Sequence, residues 1–165
     1  MIDPSSPTAM YLRPVVPSDL PRFFAFQQDP EAIQMAAFTS TDPSDEAAFQ
    51  AHWAWIQARP DVLIRTIELD GGRVAGSVLR YVDAHGPEVS YWIDRDLWGR
   101  GIATAALAAF LADVDPTRPM YARAAADNAA SLRVLAKCGF ARIAMERGFA
   151  NARGEEIDEV VLELK

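Results

Sequence analysis

The residues best suited to chemistry lie in one short segment, where a predicted strand gives way to a glycine-bearing loop and then a helix. The loop runs from Trp98 to Gly101, and the helix begins at Ile102. The first N–H groups of a helix have no partner within it and carry about half a positive charge. Glycine lets a ligand approach the backbone closely. With Arg100 adding charge, the segment predicts a phosphate or diphosphate site; a tight turn with a glycine for packing is the alternative.

Two other phosphate-binding loops fit this segment poorly. Gly99-x-Gly101 is half of the dinucleotide pattern Gly-x-Gly-x-x-Gly, but Thr104 stands at the third glycine position and the unit comes late in the chain. The Gly-Lys-Ser/Thr run of a nucleoside-triphosphate loop is missing.

Nucleophilic and metal chemistry have little support. Cys138 is the single cysteine, which excludes an intrachain disulfide and a cysteine zinc cluster. We interpret it as a small buried residue, because neither His52 nor His85 is placed to activate it. His52 is expected in the core or at its rim, and no metal site is predicted.

The elements that must position the loop follow from apolar periodicity and turn residues. A short strand at 11–15 precedes a helix at 19–28 that Ser18 caps and Pro30 stops. Asp42-Pro43 is expected to open a second helix that ends before Pro60. Strands are predicted at 62–69, 73–82, 88–93, 120–125, 141–149 and 157–164, with helices at 102–114 and from Asp127 or Asn128 to 137.

This order predicts an α/β (mixed α+β) fold with one central sheet of about seven strands and helices on both faces. The strands at 88–93 and 120–125 are joined by a helix, so they should run parallel within a mostly antiparallel sheet. Residues 10–165 are expected to form a single domain, preceded by a flexible tail at residues 1–9 that is rich in Pro and Ser.

Composition excludes several classes of partner. The 165 residues carry a formal net charge of −7, which opposes binding to nucleic acid or an anionic membrane and slightly favours cationic amines. The N-terminal residues lack the features of a secretory signal, and no apolar run approaches the roughly 20 residues of a membrane span. A cytoplasmic protein is expected.

Two motifs carry a resemblance to a known family. Trp98-Gly99-Arg100-Gly101-Ile102-Ala103 resembles the pyrophosphate loop of the GNAT superfamily of acyl-CoA-dependent N-acyltransferases, with Gly101 and Ala103 at its small positions. Trp98 replaces the usual Gln or Arg, as in the branch of ribosomal-protein N-terminal acetyltransferases. The block from Asp127 to Phe140 is similar to the Asn-x-x-Ser/Ala … Gly-Phe helix of the same family. The resemblance covers the chain from about residue 10 to 165.

The resemblance implies how coenzyme A would bind. In the family, the fourth and fifth strands splay apart, and the pantetheine arm pairs with the fourth strand in the gap. Asn128 matches a cofactor-contacting asparagine, although helix capping is the alternative role. The expected cofactor contacts are Tyr91, Trp92 and Ile93 for pantetheine, Trp98, Gly99, Arg100, Gly101, Ile102, Ala103 and Thr104 for the diphosphate, and Asn128.

The resemblance also implies two catalytic residues. Glu88 lies where family members often carry the carboxylate that takes the proton of the amine, and an exposed strand-end charge is the alternative. Arg123 occupies the other position used for a base and cannot serve as one. Leu135 replaces the usual tyrosine acid. Ser131, one helical turn earlier, is the expected proton donor, unless it only makes a hydrogen bond or no acid is needed.

The sequence therefore predicts direct transfer of an acetyl group from acetyl-CoA to a primary amine, either a protein N-terminus or a small molecule. The alternative is a non-catalytic CoA or acyl-CoA sensor of the same fold. A homodimer is expected only at the level of the family. The amine, the acyl-chain preference and the use of a general acid are left open. The aromatic residues of the first two helices are expected to divide between the core and an acceptor pocket.

Overall fold

A seven-stranded mixed sheet forms the centre of the computed structural model, which describes residues 9–165. The strands are β1 (Met10–Arg13), β2 (Leu63–Leu69), β3 (Val74–Asp83), β4 (Gly86–Ile93), β5 (Met120–Ala125), β6 (Ala141–Ala150) and β7 (Glu155–Leu164). Their order in the sheet is β1-β2-β3-β4-β5-β7-β6. Only the β4–β5 pair is parallel, and the predicted fold class is confirmed.

In this described part of the chain, five α-helices pack around the sheet: α1 (Leu20–Phe26), α2 (Pro30–Ala36), α3 (Glu46–Ala58), α4 (Ile102–Ala109) and α5 (Ala129–Lys137). A π-helical turn over Phe110–Val114 continues α4. Apolar residues of α4 and α5 pack with β4 residues Val89 and Ile93 in the main core. A second cluster joins α1 and α3 to Trp92. Because neighbouring β4 residues point to opposite faces, the two clusters lie on opposite sides of the sheet.

Two helix starts differ from the sequence prediction. Pro30 does not only stop α1: it is the first residue of α2, whose N-cap Asp29 accepts a hydrogen bond from the N–H of Ala32 at 3.0 Å. Proline suits this position because the first helical N–H has no partner to lose. Similarly, α3 is capped by Asp45, because Asp42 is engaged in a turn with the N–H and hydroxyl of Ser44.

The first helix also begins differently. Ser18 lies inside a 3-10 turn, Pro17–Asp19, which runs directly into α1. For α5 the sequence predicted either Asp127 or Asn128 as the cap, and in the structure Asn128 is the N-cap. The expected tail at residues 1–9 lies, except for Ala9, outside the described residues.

Candidate active site

The parallel strands β4 and β5 separate almost as soon as they meet. Glu88 and Tyr121 are their single paired position, whereas β3 accompanies β4 along its whole length. Beyond Glu88 the β5-facing edge of β4 therefore has unpaired peptide groups, which require partners from elsewhere. A cavity of about 720 Å³ opens at this gap. The splay predicted for these two strands is thus present, and it forms the floor of the candidate site.

The loop that follows β4 turns the chain sharply into α4. The indole N–H of Trp98 donates to the carbonyl of Ile93 at 3.0 Å and fastens the loop to the end of the strand. Gly99 and Gly101 have φ values of 78° and 76°, a left-handed conformation that is costly for residues with a Cβ. Gly101 is the N-cap of α4, so no side chain caps the first N–H groups of the helix. They remain available for an anion.

The surroundings of these glycines are open. A Cβ placed on Gly99 or Gly101 would meet no protein atom within 4 Å, so neither residue is needed for tight packing. Gly101, Ile102, Ala103 and Thr104 all line the cavity, whereas Arg100 is exposed and is not part of the lining. The loop therefore offers backbone donors to the cavity more directly than it offers the guanidinium charge.

Two basic residues that the sequence reasoning missed also line the cavity. Arg133 and Lys137 lie four residues apart on α5, a spacing that puts them on one face of the helix. This spacing in a helix next to a predicted anion site was the available signal. The two cations add positive charge to a cavity whose other end is acidic.

Glu88 lies at the point where β4 and β5 part, and it is only 4% exposed. The Tyr81 hydroxyl donates to one carboxylate oxygen, and Arg123 Nε donates to the other at 3.1 Å. Burial raises the pKa of Glu88; the charge of Arg123 opposes this, and the nearby Glu159 and Glu146 reinforce it. The pKa is therefore above its ordinary value. The alternative of an exposed strand-end charge is wrong, because three strands enclose this carboxylate.

Arg123 shares its charge among several carboxylates. Its Nη1 lies 2.6 Å from Glu146 and 3.2 Å from Glu159, in addition to the contact with Glu88. Three carboxylates and one guanidinium leave this end of the cavity with an excess of negative charge. Of the three carboxylates, Glu88 and Glu159 line the cavity and Glu146 does not.

Ser131 and Asn128 enter the cavity from the start of α5. The Ser131 hydroxyl oxygen lies 2.6 Å from the hydroxyl of Tyr91 on β4. Asn128 accepts from the N–H of Ser131 at 3.2 Å, and its own amide donates to the carbonyl of Met35 at 3.2 Å. The capping role of Asn128 is thus present, together with a link to α2. One amide hydrogen remains for a further partner.

The aromatic residues of α1 and α3 divide between core and surface, and a role for some of them in an acceptor pocket stays a prediction. Phe23, Phe26 and Trp53 are buried, whereas Trp55 is 58% exposed on the outer face of α3. The buried rings line a small cleft of about 150 Å³ that shares Gln27, Ser90, Tyr91 and Trp92 with the main cavity. This cleft lies on the opposite face of the sheet from α4 and α5.

The remaining candidates have modest roles. Leu135 is 1% exposed and packs in the main core. Cys138 is half-buried against the carbonyl of Thr104, and His52 is exposed at the rim of the cavity. Within residues 9–165, no group of three or more His, Cys, Asp or Glu residues is arranged to hold a metal ion. No helix in the described part of the chain combines the length and apolar character needed to cross a membrane.

Comparison with known proteins adds two findings. A family model described as an acetyltransferase (GNAT) domain matches residues 10–141. No match was found among the curated proteins. The matched residues include the predicted loop and α5, and therefore both motifs on which the resemblance was based.

Several solved structures share the fold. RimJ from Mycobacterium smegmatis, in complex with CoA-disulfide, is 23% identical with a TM-score of 0.79, over 94% of this chain and 81% of that one. Spermidine N-acetyltransferase from Vibrio cholerae, with CoA and spermine, is 14% identical with a TM-score of 0.78, over 94% of each chain. Ribosomal-protein-alanine N-acetyltransferase from Brucella melitensis is 20% identical with a TM-score of 0.78, over 93% of this chain and 98% of that one.

Proposed function

The chain belongs to the GNAT family of acetyltransferases, and from that premise we propose that it transfers an acetyl group directly from acetyl-CoA to a primary amine. The observation that carries this proposal is the opening of β4 from β5 after one residue pair, with the uncapped start of α4 at one end of the gap. An extended, amide-bearing chain that ends in a diphosphate fits these two features.

Coenzyme A suits the groups that the cavity offers. The free edge of β4 at Tyr91, Trp92 and Ile93 provides peptide groups for the amides of pantetheine. The diphosphate finds backbone donors from Gly99 to Thr104, and Trp98 holds the loop in place for it. Arg133 and Lys137 supply positive charge close by, and the spare amide hydrogen of Asn128 is available to a pantetheine carbonyl.

The chemistry requires an uncharged amine. Bound acetyl-CoA supplies a thioester carbonyl for the amine to attack. Glu88 takes the proton that the amine loses, directly or through one water, because it is the buried carboxylate at the point where the strands part. Tyr81 and Arg123 hold the carboxylate in one orientation. Its raised pKa makes it a stronger base than an exposed glutamate.

Ser131 offers a hydroxyl to the leaving sulfur. It lies on α5 beside the cavity, whereas the side chain of Leu135 one turn later has no polar group and is buried. The bond between carbon and sulfur breaks with its electron pair on sulfur, and a hydroxyl hydrogen directed at that atom stabilises the negative charge that develops there.

The acceptor is a primary amine whose nature follows from the acidic end of the cavity. Glu88 and Glu159 favour an acceptor that carries further positive charge over one that carries a carboxylate. Two proteins of similar fold are a spermidine N-acetyltransferase and a ribosomal-protein-alanine N-acetyltransferase. Protein N-termini and small amines are therefore the two classes to test.

A CoA-binding sensor without catalysis is the second candidate. The observation that favours it is that both oxygens of Glu88 already accept hydrogen bonds from protein groups, Tyr81 and Arg123. With both oxygens engaged, this carboxylate would support the structure of the site but would not accept a proton from an amine.

Turnover with a panel of amines separates the two candidates. The panel contains N-terminal peptides with alanine or serine first, spermidine, and single amino acids, and the readout is release of the CoA thiol from acetyl-CoA. The enzyme proposal predicts release with at least one amine. Tight binding of acetyl-CoA by calorimetry without release from any amine would instead support the sensor.

The role of Glu88 is tested in the same assay. Glu88→Gln should lower kcat at least about tenfold and leave the affinity for CoA within about twofold, because it removes the proton acceptor and keeps the shape. Glu146→Gln is the matched control: it also removes a carboxylate paired with Arg123, but outside the cavity. Equal turnover in wild type and Glu88→Gln would refute the base assignment.

A further inference from the structure

Two hydroxyl groups meet in the cavity although they are 40 residues apart in sequence. The Tyr91 hydroxyl on β4 lies 2.6 Å from Ser131 Oγ on α5, a short hydrogen bond, and 3.4 Å from the Ser131 carbonyl. Tyr91 and Ser131 both line the cavity. Within the described chain, Ser131 Oγ has no other hydrogen-bond partner.

The pair contains two hydroxyl hydrogens and uses one of them internally. When Tyr91 donates to Ser131 Oγ, the hydrogen of Ser131 is free to point into the cavity. Accepting a hydrogen bond also polarises the serine hydroxyl and makes it a better donor. The sequence reasoning placed Tyr91 only among the pantetheine contacts, so this link between β4 and α5 adds a second role for its side chain.

We propose that Tyr91 is a positioning residue for acetyl transfer, whose phenol holds the Ser131 hydroxyl in the orientation that donates to the leaving sulfur. The inference rests on the proposed function. It gives the site a two-hydroxyl donor in which β4 supplies the aromatic group and α5 supplies the contact with sulfur. Leu135 then has no catalytic duty, and its burial in the core is compatible with activity.

The pair acts by hydrogen bonding and not by giving up a proton. Burial raises the pKa of Tyr91 to about 12, far above the roughly 8.5 of an ordinary thiol, so the thiolate cannot remove the phenol proton. The amine proton leaves through Glu88 to water. The thiolate departs charged or takes a proton from water, so the reaction balances without any change at Tyr91 or Ser131.

A double-mutant cycle tests the inference. Tyr91→Phe keeps the ring and removes the hydroxyl; we expect kcat to fall about five- to tenfold, the effect of one hydrogen bond. The KM for acetyl-CoA and the affinity for CoA should stay within about twofold. Ser131→Ala should lower kcat at least as much, and Ser131→Thr, which keeps a hydroxyl, should recover most of it. In the Ser131→Ala background, Tyr91→Phe should have no further effect.

The controls distinguish this role from a structural one. Tyr11→Phe on β1 removes another hydrogen-bonded phenol, which donates to Asp70 at 2.9 Å, and should leave kcat unchanged. A merely structural Tyr91 would reduce kcat equally in both Ser131 backgrounds, or would change the affinity for CoA, and either result overturns the inference. If the wild type turns over an amine and Tyr91→Phe has the same kcat, this inference is overturned and the proposed function stands. Absence of wild-type turnover with every amine overturns the proposed function as well.

Discussion

The pKa of Glu88 results from neighbours that act in opposite directions. Burial penalises its charge and raises its pKa, while Arg123 partly offsets that penalty. Tyr81 holds the same carboxylate from β3. As the proposed base, Glu88 should take up a proton at a higher pH than an exposed glutamate would. Arg123 therefore opposes the rise in the pKa of the proposed base.

The pH profile of kcat/KM should report this balance. Because Glu88 acts in its charged form, activity falls as the pH drops through its pKa. Arg123→Gln removes a cation that lowers this pKa, so the acidic limb should move to higher pH, measured with the best amine of the panel. Arg147→Gln, which breaks an exposed pair with Asp158 on β6 and β7, should leave the limb in place. A limb that stays or moves to lower pH in Arg123→Gln would contradict the assignment.

The strand-loop-helix unit from β4 to α4 is the element on which the proposed CoA binding depends. Its two glycines have positive φ and open surroundings, so they are required by backbone conformation and by access for a ligand, not by packing against the protein. Trp98 connects the loop to the last carbonyl of β4. The unpaired edge of the strand and the uncapped helix start are thereby held in a fixed relation.

Gly101→Val should weaken CoA binding more than about tenfold, or about 1.4 kcal/mol, measured by calorimetry. A non-glycine residue at φ 76° is strained, and its side chain would extend into the space before α4. Gly71→Val matches it closely: its φ is 83° and it also has no protein atom within 4 Å of a Cβ, but it lies in the turn between β2 and β3. Gly71→Val should lose stability and keep CoA affinity. Unchanged affinity in Gly101→Val would remove the loop from the diphosphate site.

At the scale of the whole molecule, the helices that form two apolar clusters on opposite faces of the sheet must be attached to it. Asp19, which is 2% exposed, connects the entry of α1 to the sheet. It accepts two hydrogen bonds from Arg13 on β1, at 2.8 and 2.9 Å, and one from Thr66 on β2 at 2.8 Å. Burial alone would raise the pKa of Asp19, but these partners and the N–H of Val16 outweigh it and lower the pKa.

Asp19→Ala should lower the free energy of unfolding by on the order of 3 kcal/mol in denaturant titrations at pH 7, since it leaves buried donors without their acceptor. The lowered pKa gives stability that is present above the ordinary value of 3.8 and is lost as the pH falls through the pKa of the folded state. The difference from wild type should therefore shrink below about pH 4. Asp45→Ala, which removes an exposed cap of α3, should cost clearly less. A loss no larger than that of Asp45→Ala would show that the Asp19 contacts contribute little.

The sequence by itself determined the features that depend on neighbouring residues. Apolar residues and turn residues predicted the strands. The glycine pair before Ile102 indicated a helix start open to an anion, because left-handed turns and uncapped helices are local properties. Local signals also misled where two were equivalent. Pro30 can end one helix or begin the next, and Asp42 and Asp45 are both good caps. In the structure Pro30 begins α2, and Asp45 caps α3 while Asp42 forms a turn with Ser44.

Only the tertiary structure decided what surrounds each catalytic candidate. The burial of Glu88 depends on Tyr81 from β3 and Arg123 from β5, and the pairing of Tyr91 with Ser131 joins a strand to a helix 40 residues away. Such contacts follow from the order of strands in the sheet and from where two of them part, neither of which any short stretch of sequence encodes. A residue's type limits the chemistry it can perform, but its pKa and its orientation come from groups brought close by the fold.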